Sequence, residues 1–564
     1  MQMLLPFSAV LVLVAAVPTA CAEDLPGWGY PRFQGKRVLI TGGDSGIGYA
    51  AAEAFYLECA HITLSGHSEN KTREAAATVA ALVVPSFCKD ALPSVAWMVA
   101  DVRNHSQVKA LLEFATSRYG GLDVAVNNAG TGPAGTLDLG MDGFVKPDGH
   151  FSDEKVLEVN LEGALRCMHA EISYWLSAGL PGIIVNVASV CGETALCNSL
   201  YTGSKWAMEG FSRQAALKYA GKQIRINVLD PGAVNTTLLR GGRSPDDPTW
   251  LADRKALENA IPTHHIAEPW EMAGPITFLS SNMSSYITGS TVTADGGLTL
   301  LAQARERKGS VDEQRDVQLA SVGSALETSE TTKDTAPHHW GMPRFRGKRV
   351  LVTGGDDGIG LAAVQAFYLE CAKVLLVGHN STKAQKASEA TLKLAIPQAC
   401  EGSSPTVDWA VADVANASQV EEMMEVAVAK LGAIDIAVNN AGIYDHSQQE
   451  IGSANFIDAD GNLADKAVLD VNLRGTLKCM HAEVRHWLLR NATGSIVNIA
   501  SVFGEVAWGA PVYTSSKWAM IGFTKRVAMV YAGSGIRVNA VAPGFVNTSM
   551  LRGNATGADW ARRR

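Results

Sequence analysis

One serine, one tyrosine and one lysine stand at a spacing that could support proton transfer. Tyr201 follows Ser189 by twelve residues, and Lys205 follows the tyrosine by four. Residues four apart on a helix lie one above the other, so the tyrosine and lysine side chains would be neighbours. A free tyrosine has a pKa near ~10, and a nearby ammonium favours its phenolate, which makes the pair a candidate acid and base. The spacing also arises by chance in many helices, so the surrounding elements must decide its meaning.

The same three residue types recur within a long internal repeat. Trp28-Gly-Tyr-Pro-Arg-Phe reappears as Trp340-Gly-Met-Pro-Arg-Phe, and this offset of 312 residues converts the first group into Ser501, Tyr513 and Lys517. A period of this length predicts two tandem domains rather than a solenoid. The predicted regions are an N-terminal targeting segment at 1–22, a first domain at 28–297, a flexible polar linker at 298–339 and a second domain at 340–564. We expect the second domain to lack the last helix and strand of the first, since the sequence stops soon after Pro543-Gly544.

Short apolar segments alternate with helical patterns in both domains. Arg37-Val-Leu-Ile-Thr41 is apolar and β-branched enough for a buried parallel strand, and the glycine-rich Thr41-Gly-Gly-Asp-Ser-Gly-Ile-Gly48 follows it and opens a helix. Glycines at such a turn let backbone N–H groups approach a pyrophosphate at the helix N-terminus. The alternation predicts an α/β fold made of two tandem Rossmann-like doubly wound parallel-sheet domains.

Two further segments complete a recognisable pattern, namely Asn127-Asn-Ala-Gly130 after the fourth strand and Asn160 in the next helix. With the glycine turn and the serine, tyrosine and lysine group, the chain resembles the short-chain dehydrogenase/reductase family in its single-domain branch. The resemblance covers nearly everything after residue 30 except the linker. It implies an NAD(P)-dependent oxidoreductase that interconverts an alcohol and a carbonyl by hydride transfer. The implied catalytic residues are Asn160, Ser189, Tyr201 and Lys205 in the first domain and Asn472, Ser501, Tyr513 and Lys517 in the second.

The family assigns a role to each of these residue types. The tyrosine is the general acid and base, and the lysine lowers the tyrosine's pKa and binds the nicotinamide ribose. The serine holds the substrate oxygen, and the asparagine holds a water that links the lysine to solvent. A different class stays open, in which the protein is a dinucleotide-binding scaffold or sensor whose second domain is a non-catalytic partner.

The resemblance also implies cofactor contacts in equivalent segments of both domains. In the first they are Thr41, Gly42, Ser45, Gly46, Ile47, Gly48, His67, Asp101, Val102, Asn128, Ala129, Gly130, Tyr201, Lys205, Pro231, Gly232, Val234 and Thr236. In the second they are Gly354, Gly358, Ile359, Gly360, His379, Asp413, Val414, Asn440, Ala441, Gly442, Tyr513, Lys517, Pro543, Gly544, Val546 and Thr548.

The choice between NAD and NADP depends on the end of the second strand. A carboxylate there selects the ribose diol of NAD, and an arginine accommodates the 2′-phosphate of NADP. Neither is present, because His67 and His379 occupy these positions. Lysines nearby, such as Lys71, would favour the phosphate, and Asp44 in the glycine turn would oppose it. The sequence leans towards NADP(H).

Composition and the N-terminus bear on partners and location. A net charge of −8 without a basic patch argues against a nucleic-acid partner. The apolar run from Leu4 to Val17, followed by small residues up to Ala22, resembles a signal peptide or short anchor. It predicts the secretory pathway, an organelle lumen or membrane association, and otherwise the cytoplasm. The expected partner is a small alcohol or carbonyl. Helices near 153–178 and 198–220, which form a dimer contact in the family, predict an internal pseudo-dimer or a homo-oligomer.

Cysteines and acidic loops are interpreted structurally. The sequence has nine cysteines, of which Cys59, Cys88 and Cys167 have counterparts at Cys371, Cys400 and Cys479, and we expect buried apolar side chains rather than disulfides or a metal site. The segment Asp458-Ala-Asp460-Gly-Asn462 lacks the ligand spacing of a calcium loop, so an ordinary polar loop is favoured and no metal is expected.

The two candidate substrate pockets differ in composition. The first would be lined by Cys191, Thr194, Leu196, Cys197 and Asn198, and the second by Phe503, Val506, Trp508, Gly509 and Ala510. The second pocket is therefore expected to be more aromatic and to prefer different substrates.

Overall fold

The computed structural model describes residues 31–88, 91–132, 137–299, 344–396, 400, 402–444, 449–506 and 509–552. The predicted targeting segment, nearly all of the predicted linker and Trp508 lie outside these ranges. Within them the chain forms two parallel-sheet α/β units, which confirms the predicted fold class. None of the described helices is long and apolar enough to cross a membrane.

The first unit is built on a seven-stranded parallel sheet with the order β3-β2-β1-β4-β5-β6-β7. Its strands are β1 Arg37–Thr41, β2 His61–Gly66, β3 Ser94–Val99, β4 Val124–Asn127, β5 Gly182–Val187, β6 Ile224–Pro231 and β7 Thr291–Ala294. The order reverses between β1 and β4, and in such sheets ligands bind at the carboxyl ends of the strands beside this reversal. The glycine turn follows β1 and the Asn-Asn-Ala-Gly segment follows β4, so both lie at this crevice.

Within the described residues, α-helices lie around the first sheet on both faces. They are α1 Gly46–Leu57, α2 Glu69–Ala80, α3 His105–Tyr119, α4 Glu154–Leu157, α5 Ala164–Ala178, α6 Ser199–Tyr219, α7 Pro248–Ala260 and α8 Pro269–Ser280. Small residues let the helices approach the sheet closely, as at Ala51 and Ala52 of α1, which are fully buried together with Phe55. Helices on both faces explain why the central strands are apolar on both sides.

The second unit repeats this arrangement with a six-stranded sheet in the order β10-β9-β8-β11-β12-β13. Its strands are β8 Arg349–Thr353, β9 Lys373–Gly378, β10 Thr406–Val411, β11 Ile436–Asn439, β12 Gly494–Ile499 and β13 Ile536–Val541. Its helices are α9 Gly358–Leu369, α10 Ser381–Leu392, α11 Ala417–Leu431, α12 Lys466–Val468, α13 Thr476–Leu489, α14 Pro511–Tyr531 and α15 Ser549–Arg552.

The two units pack against each other through α6 and α14, the long helices that carry the two candidate tyrosines. Gly210 on α6 faces Trp518, and a Cβ at Gly210 would lie 2.4 Å from the indole. Gly522 on α14 faces Trp206 in the same way. Since only glycine leaves room for these indoles, both helices require it at this contact. One continuous apolar core extends across both units.

A buried ion pair lies at equivalent positions of the two units. The carboxylate of Glu162 accepts a hydrogen bond of 2.8 Å from Arg474, and these residues are separated by the repeat length of 312. Arg474 also donates to Glu154 at 2.6 Å, and Arg166 pairs with Glu162 at 3.2 Å. The contact therefore joins a carboxylate of one unit to a guanidinium of the other near the axis that relates them.

The structure corrects the interpretation of six cysteines, which form disulfides. Cys59 pairs with Cys88, and the equivalent Cys371 pairs with Cys400, each with Cα atoms 5.4 Å apart. The partners are 29 residues apart, so only the packing of the loop after α2 against the end of α1 brings them together. Cys191 and Cys197 form a third bond. Cys167 and Cys479 are free and buried, as predicted.

Candidate active site

Two local caps place the serine and the tyrosine opposite each other. Ser189 follows β5 and accepts a hydrogen bond of 3.2 Å from the N–H of Cys191, which starts a short 3₁₀ turn. Asn198 caps α6 by accepting 2.9 Å from the N–H of Tyr201. The Ser189 hydroxyl lies near enough to the Tyr201 hydroxyl to lower the pKa of the tyrosine. The structure therefore brings the predicted Ser189 and Tyr201 side by side, and their joint role stays a prediction.

Lys205 lies one turn beyond the tyrosine and is buried, at 4% exposure. Its Nζ donates 3.1 Å to the carbonyl of Val187 and lies 5.5 Å from the centre of the Tyr201 ring. Burial lowers the pKa of Lys205 to about 8, and the carboxyl of Asp230 opposes this change. Lys517 repeats the arrangement, with 2.9 Å to the carbonyl of Ile499 and a pKa lowered by burial to about 8.

In the protein alone, burial is the main influence on the pKa of both tyrosines and acts against the lowering expected from the lysine. Burial raises the pKa of Tyr201 to about 12, the hydrogen bond to Ser189 lowers it, and Asp230 raises it further. Burial likewise raises the pKa of Tyr513 to about 12. The Nζ of Lys205 lies over the Tyr201 ring and donates to the carbonyl of Val187, and burial disfavours the charge of the lysine. Each phenol is therefore neutral near pH 7 in the protein alone, which suits it to donate a proton.

The asparagines lie in short π-helical segments, at 158–163 and at Leu469–Gly475. Such widened turns occur frequently at functional sites. Asn160 is fully buried, and its side chain pairs with the main chain of Thr131 through two hydrogen bonds of 2.9 Å. Its Nδ2 also lies 3.3 Å from the hydroxyl of Ser204 on α6. Asn472 makes the same contacts with Ile443 and Ser516. These bonds tie the π-helical segment to the tyrosine helix.

The glycine turn forms the cradle expected for a dinucleotide. Gly42 and Gly46 have φ values of +61° and +55°, which favour glycine, and a Cβ at Gly48 would lie 2.4 Å from the Gly42 carbonyl. Asn128 supports the turn by donating 2.9 Å to that carbonyl. The hydroxyl of Thr41 accepts from the N–H groups that follow β4, at 3.2 Å. The residues present therefore fit a bound pyrophosphate at the start of α1.

The second unit differs at the residue that precedes its glycine-led helix. Ser45, at the start of α1, makes no side-chain cap bond. Its counterpart Asp357 accepts 2.7 Å from the N–H of Gly358 and is paired with Lys383 at 2.7 Å. A carboxylate therefore occupies the helix N-terminus in the second unit. Sequence reasoning missed this difference, although the repeat offset aligns the two residues.

The segments expected to hold the adenine end are close to the crevice. Asp101 follows β3, and its carboxylate is bound by Arg103 at 2.7 Å. In the second unit Ala415 replaces this arginine, and the Asp413 carboxylate accepts a hydrogen bond of 2.9 Å from the N–H of Ala415. The main-chain N–H of Asp413 donates to the side-chain oxygen of Gln419 at 2.8 Å. His67 and His379 are exposed. The carboxylate of Asp44 lies against Gly66 at the end of β2, close enough that a Cβ on the glycine would be 2.4 Å from it.

The loop after β6 closes over the glycine turn in the first unit. Val234 is buried and pairs with Ala267, and Thr236 lies 3.0 Å from the Cβ position of Gly46. In the second unit Thr548 approaches Gly358 similarly, while the preceding Val546 is 41% exposed. The predicted loop residues are thus brought to the cradle in both units, with less cover in the second.

Three carboxylates converge behind the first site, a feature that sequence reasoning missed. Glu193, Glu209 and Asp230 place one oxygen each within 4.8 Å of the others. Asp230 accepts 3.3 Å from the N–H of Ser189, and its pKa is raised to about 8 by burial and by Glu193. The second unit has Glu505, Ile521 and Ala542 at these positions, so the group is confined to the first. The sequence signal for this cluster was Asp230 before Pro231-Gly232, because the second unit has Ala542 at the equivalent position.

The predicted polar loops are ordinary turns in the described structure. Asp458 accepts from the N–H groups of Asp460 and Asn462 at 3.0 and 2.8 Å, and the loop closes between Ile457 and Leu463. Its first-unit counterpart forms the same turn. Both turns border a cleft of about 1100 Å³ between the units, which is lined by charged side chains of both signs.

Aromatic side chains surround the second tyrosine. Tyr444 and Phe503 meet Tyr513 edge to face, with ring centres 4.8 and 6.2 Å away, and Phe545 packs on Phe503. In the first unit the disulfide between Cys191 and Cys197 lies in the equivalent stretch. The composition difference noted in the sequence therefore reaches the neighbourhood of the two tyrosines.

Family models of dehydrogenases and reductases match both units. A family model described as short chain dehydrogenase matches residues 348–558, and one described as enoyl-(acyl carrier protein) reductase matches residues 42–299. The glucose 1-dehydrogenase of Gluconobacter oxydans is 35% identical over 279 residues, covering 48% of this chain and 94% of the relative. The 3beta-hydroxysteroid dehydrogenase 1 of Eggerthella lenta is 32% identical over 276 residues, covering 48% of this chain and 96% of the relative. The crystal structure of levodione reductase is 30% identical and covers 47% of this chain and 98% of its own, with a TM-score of 0.41.

The fold, the cradle and these relatives define an alcohol and carbonyl oxidoreductase that uses a nicotinamide dinucleotide. The chain belongs to the short-chain dehydrogenase/reductase family, with the family's domain present twice in tandem.

Proposed function

We propose that the first unit interconverts a small alcohol and its carbonyl compound, with Tyr201 as the general acid and base. The observation that carries the proposal is the assembly of Ser189, Tyr201 and Lys205 beside a glycine cradle that fits a dinucleotide. A bound nicotinamide supplies the hydride in reduction and accepts it in oxidation.

The side chains act on the substrate oxygen. In reduction, the Ser189 hydroxyl donates a hydrogen bond to the carbonyl oxygen, and the neutral phenol of Tyr201 gives its proton to that oxygen as the carbon gains hydride. In oxidation, the phenolate takes the proton back. Lys205 stabilises that phenolate from one turn away, and its pKa near 8 lets it shed or regain a proton close to physiological pH. When the Asp230 carboxyl is ionised, it raises the pKa of Lys205 and so favours the positive form of the lysine.

The cradle residues of the first unit would hold the cofactor. The turn from Thr41 to Gly48 would bind the pyrophosphate, Asp101 and Val102 the adenine end, and the loop from Pro231 to Thr236 the nicotinamide end. The position of Asp44 at the end of β2 bears on nucleotide choice, because a carboxylate repels a 2′-phosphate. The proposed preference for NADP(H) rests on Lys71 and His67. Because Asp44 would oppose it, replacing Asp44 by Asn should raise the ratio of kcat/KM for NADPH to kcat/KM for NADH.

The second unit is proposed to act mainly as a partner of the first. Asp357 places a negative charge at the helix N-terminus where a pyrophosphate would bind. Lys383 and Ser549 both donate hydrogen bonds to the carboxylate of Asp357. Tyr513 and Lys517 keep the catalytic geometry, so weak activity on a more aromatic substrate is the second candidate for this unit. Asp357→Ser should strengthen nucleotide binding by the second unit if the carboxylate is what weakens it.

We also propose that the two units form an internal pseudo-dimer. The close glycine and tryptophan contacts and the buried pair of Glu162 and Arg474 support it. Two copies of the first unit at this contact would bring Glu162 against Glu162, and two copies of the second would oppose Arg474 to Arg474. Like charges in a buried contact are costly, so the residues favour pairing between unlike units.

The proposed location is an oxidising compartment reached through the secretory pathway. Disulfides persist in such compartments and are rare in the cytosol. The three disulfides, two of them at equivalent positions, support the signal peptide interpretation of residues 1–22.

The proposal is tested with the full chain and a panel of carbonyls and alcohols that includes a sugar, a cyclic diol and a hydroxysteroid. Oxidation or reduction of the nucleotide is followed with NAD(H) and NADP(H) in the wild type, Tyr201→Phe and Tyr513→Phe. Turnover that is lost only in Tyr201→Phe supports the assignment. Nucleotide binding without turnover of any panel member would instead support the sensor alternative.

A further inference from the structure

The loop at 193–198 separates the candidate serine from the candidate tyrosine in the first unit. It leaves the 3₁₀ turn after Ser189 and enters α6 two residues before Tyr201. Its position beside both hydroxyl groups means that its conformation sets the shape of the space where a substrate would bind. Leu196 in this loop is 41% exposed, whereas Thr194 and Ala195 are buried. The bond between Cys191 and Cys197 closes the loop from within the first unit.

A side chain from the second unit reaches this loop. Arg526 on α14 donates from Nη1 to the carbonyl oxygens of Ala195, at 3.1 Å, and Leu196, at 3.4 Å. The same guanidinium donates from Nε to the carboxylate of Asp138 at 2.9 Å. Its side chain is 19% exposed and that of Asp138 is 4% exposed, so the pair is shielded from solvent.

Asp138 transmits the contact to the tyrosine helix. Its Oδ1 accepts from the N–H of Ser199 at 3.0 Å and from the Ser199 hydroxyl. Ser199 is the first residue of α6, which carries Tyr201 and Lys205. Arg526 therefore fixes two things at once, namely the loop carbonyls directly and the start of the catalytic helix through Asp138.

The arrangement is not symmetric between the units. The position equivalent to Arg526 is Gln214, and the position equivalent to Asp138 is Glu450. Gln214 donates to Glu450 at 3.3 Å through an amide with two donor hydrogens, whereas a guanidinium has five donors in a fixed fork. Arginine can bind a carboxylate and loop carbonyls together, as Arg526 does, whereas Glu450 is bound by Gln214 and by Lys218, the latter at 3.0 Å.

We infer that Arg526 of the second unit is a positioning residue for the active site of the first. It holds the loop at 195–196 and the start of α6 in the conformation that faces a substrate, so the first site is complete only when the second unit is docked. The inference rests on the function proposed for the first unit, and it gives the second unit a role in that function even if its own site is silent.

The test compares Arg526→Gln with Arg485→Gln in the full chain. Arg485 forms another ion pair between the units, with Asp142 at 2.7 Å, but does not touch the loop in the described structure. We expect Arg526→Gln to raise the KM for the carbonyl substrate by about tenfold or more, because small displacements of a positioned site are costly, and to leave the KM for the nucleotide within about twofold. Arg526→Lys should fall between, since an ammonium cannot keep the forked contacts. Arg485→Gln should stay within about twofold of wild type.

A second measurement separates this inference from the proposed function. Amide hydrogen exchange of the peptide covering 193–200 needs no substrate, and it should become faster by about tenfold or more in Arg526→Gln and stay unchanged in Arg485→Gln. Inactive wild-type protein with this exchange pattern would refute the proposed function but keep the structural role of Arg526. Unchanged exchange and unchanged KM in Arg526→Gln, or equal changes in both variants, would overturn the inference.

Discussion

The buried ion pair between the units gives a prediction whose size can be worked from the structure. Arg474 lies among Glu154, Glu162 and Asp470, at 2.6, 2.8 and 3.2 Å, with its side chain 11% exposed. Burial opposes the charge, but Glu154 and Glu162 more than compensate, so the pKa of Arg474 is raised. Arg474→Gln would remove the cation and leave these carboxylates facing a neutral amide.

Breaking a buried pair by removing one partner typically costs about 3–5 kcal/mol. For units of this size about 1 kcal/mol corresponds to roughly 2–4 °C in Tm, so Arg474→Gln should melt on the order of 10 °C below the wild type. Glu162→Gln should cost less, because Glu154 and Asp470 still neutralise the arginine. The double variant should show a coupling energy of about 1 kcal/mol or more between the two residues.

Calorimetry of the four proteins of this cycle measures the effect, and small-angle scattering reports whether the units remain docked. The matched control is the exposed pair of Arg485 and Asp142, with side chains 39% and 79% exposed, whose loss should cost less than about 1 kcal/mol. A Tm loss in Arg474→Gln no larger than that in Arg485→Gln would refute the reasoning. So would scattering from the wild type that requires two separated, unassociated units.

Two further predictions concern the first unit. Replacing Cys191 and Cys197 by Ser should raise the KM for the substrate, since their bond closes the stretch between the serine and the tyrosine, whereas removing the bond between Cys59 and Cys88 should leave KM unchanged. From the entropy of loop closure, losing the bond between Cys191 and Cys197 should cost about 2.4 kcal/mol of stability, and losing the bond between Cys59 and Cys88 about 3.6 kcal/mol. The Cys191 bond should therefore contribute less to stability but have the larger effect on KM. Burial raises the pKa of Glu171 to about 8, although the hydrogen bond from Asn127 acts in the opposite direction. Between the pKa values of the two states, Glu171 is therefore protonated in the folded protein and ionised in the unfolded protein. Its contribution therefore makes stability fall by about 1.4 kcal/mol per pH unit between about 4.5 and about 8, and urea unfolding of Glu171→Gln should show a weaker fall than the wild type over this window. Equal pH slopes, or unchanged KM on loss of the Cys191 bond, would contradict these two accounts.

Local patterns were sufficient to predict the fold and to find the segments that the structure brings together at the candidate site. Parallel strands leave apolar segments and glycine turns at fixed places, so β1, the turn to Gly48 and the start of α1 could be located from the residues alone. The order of Asn160, Ser189 and Tyr201 then indicated a candidate site, and the structure brings Ser189 close enough to Tyr201 to influence the pKa of its phenol.

The features that sequence reasoning missed depend on contacts between distant segments. The bond between Cys59 and Cys88 and the approach of Arg526 to Asp138 join residues whose distance in the chain gives no local signal. The raised pKa of Tyr201 follows from desolvation, which a sequence position does not reveal. For the disulfides a usable signal was present, because both cysteines of the pair return in the second unit at the repeat offset.

The difference between the two units could be predicted from the sequence only in part. The offset aligns Ser45 with Asp357, but the consequence depends on the bond from the aspartate to the helix N-terminus. A carboxylate at the start of α9 in a unit that keeps its tyrosine agrees with the proposed role of the second unit as a docked support for the first.

The central claim is that Tyr201, and not Tyr513, carries the main reaction of the chain. The most direct measurement uses a reduced nicotinamide nucleotide in which deuterium replaces both hydrogens at C4 of the ring, together with the carbonyl compound of the panel that is reduced fastest. Mass spectrometry then measures the deuterium at the carbinol carbon of the product. We predict transfer at similar rates in the wild type and Tyr513→Phe and a rate at least about 10²-fold lower in Tyr201→Phe, the range expected for loss of a general acid. Undiminished transfer in Tyr201→Phe, or loss in Tyr513→Phe alone, would contradict the account.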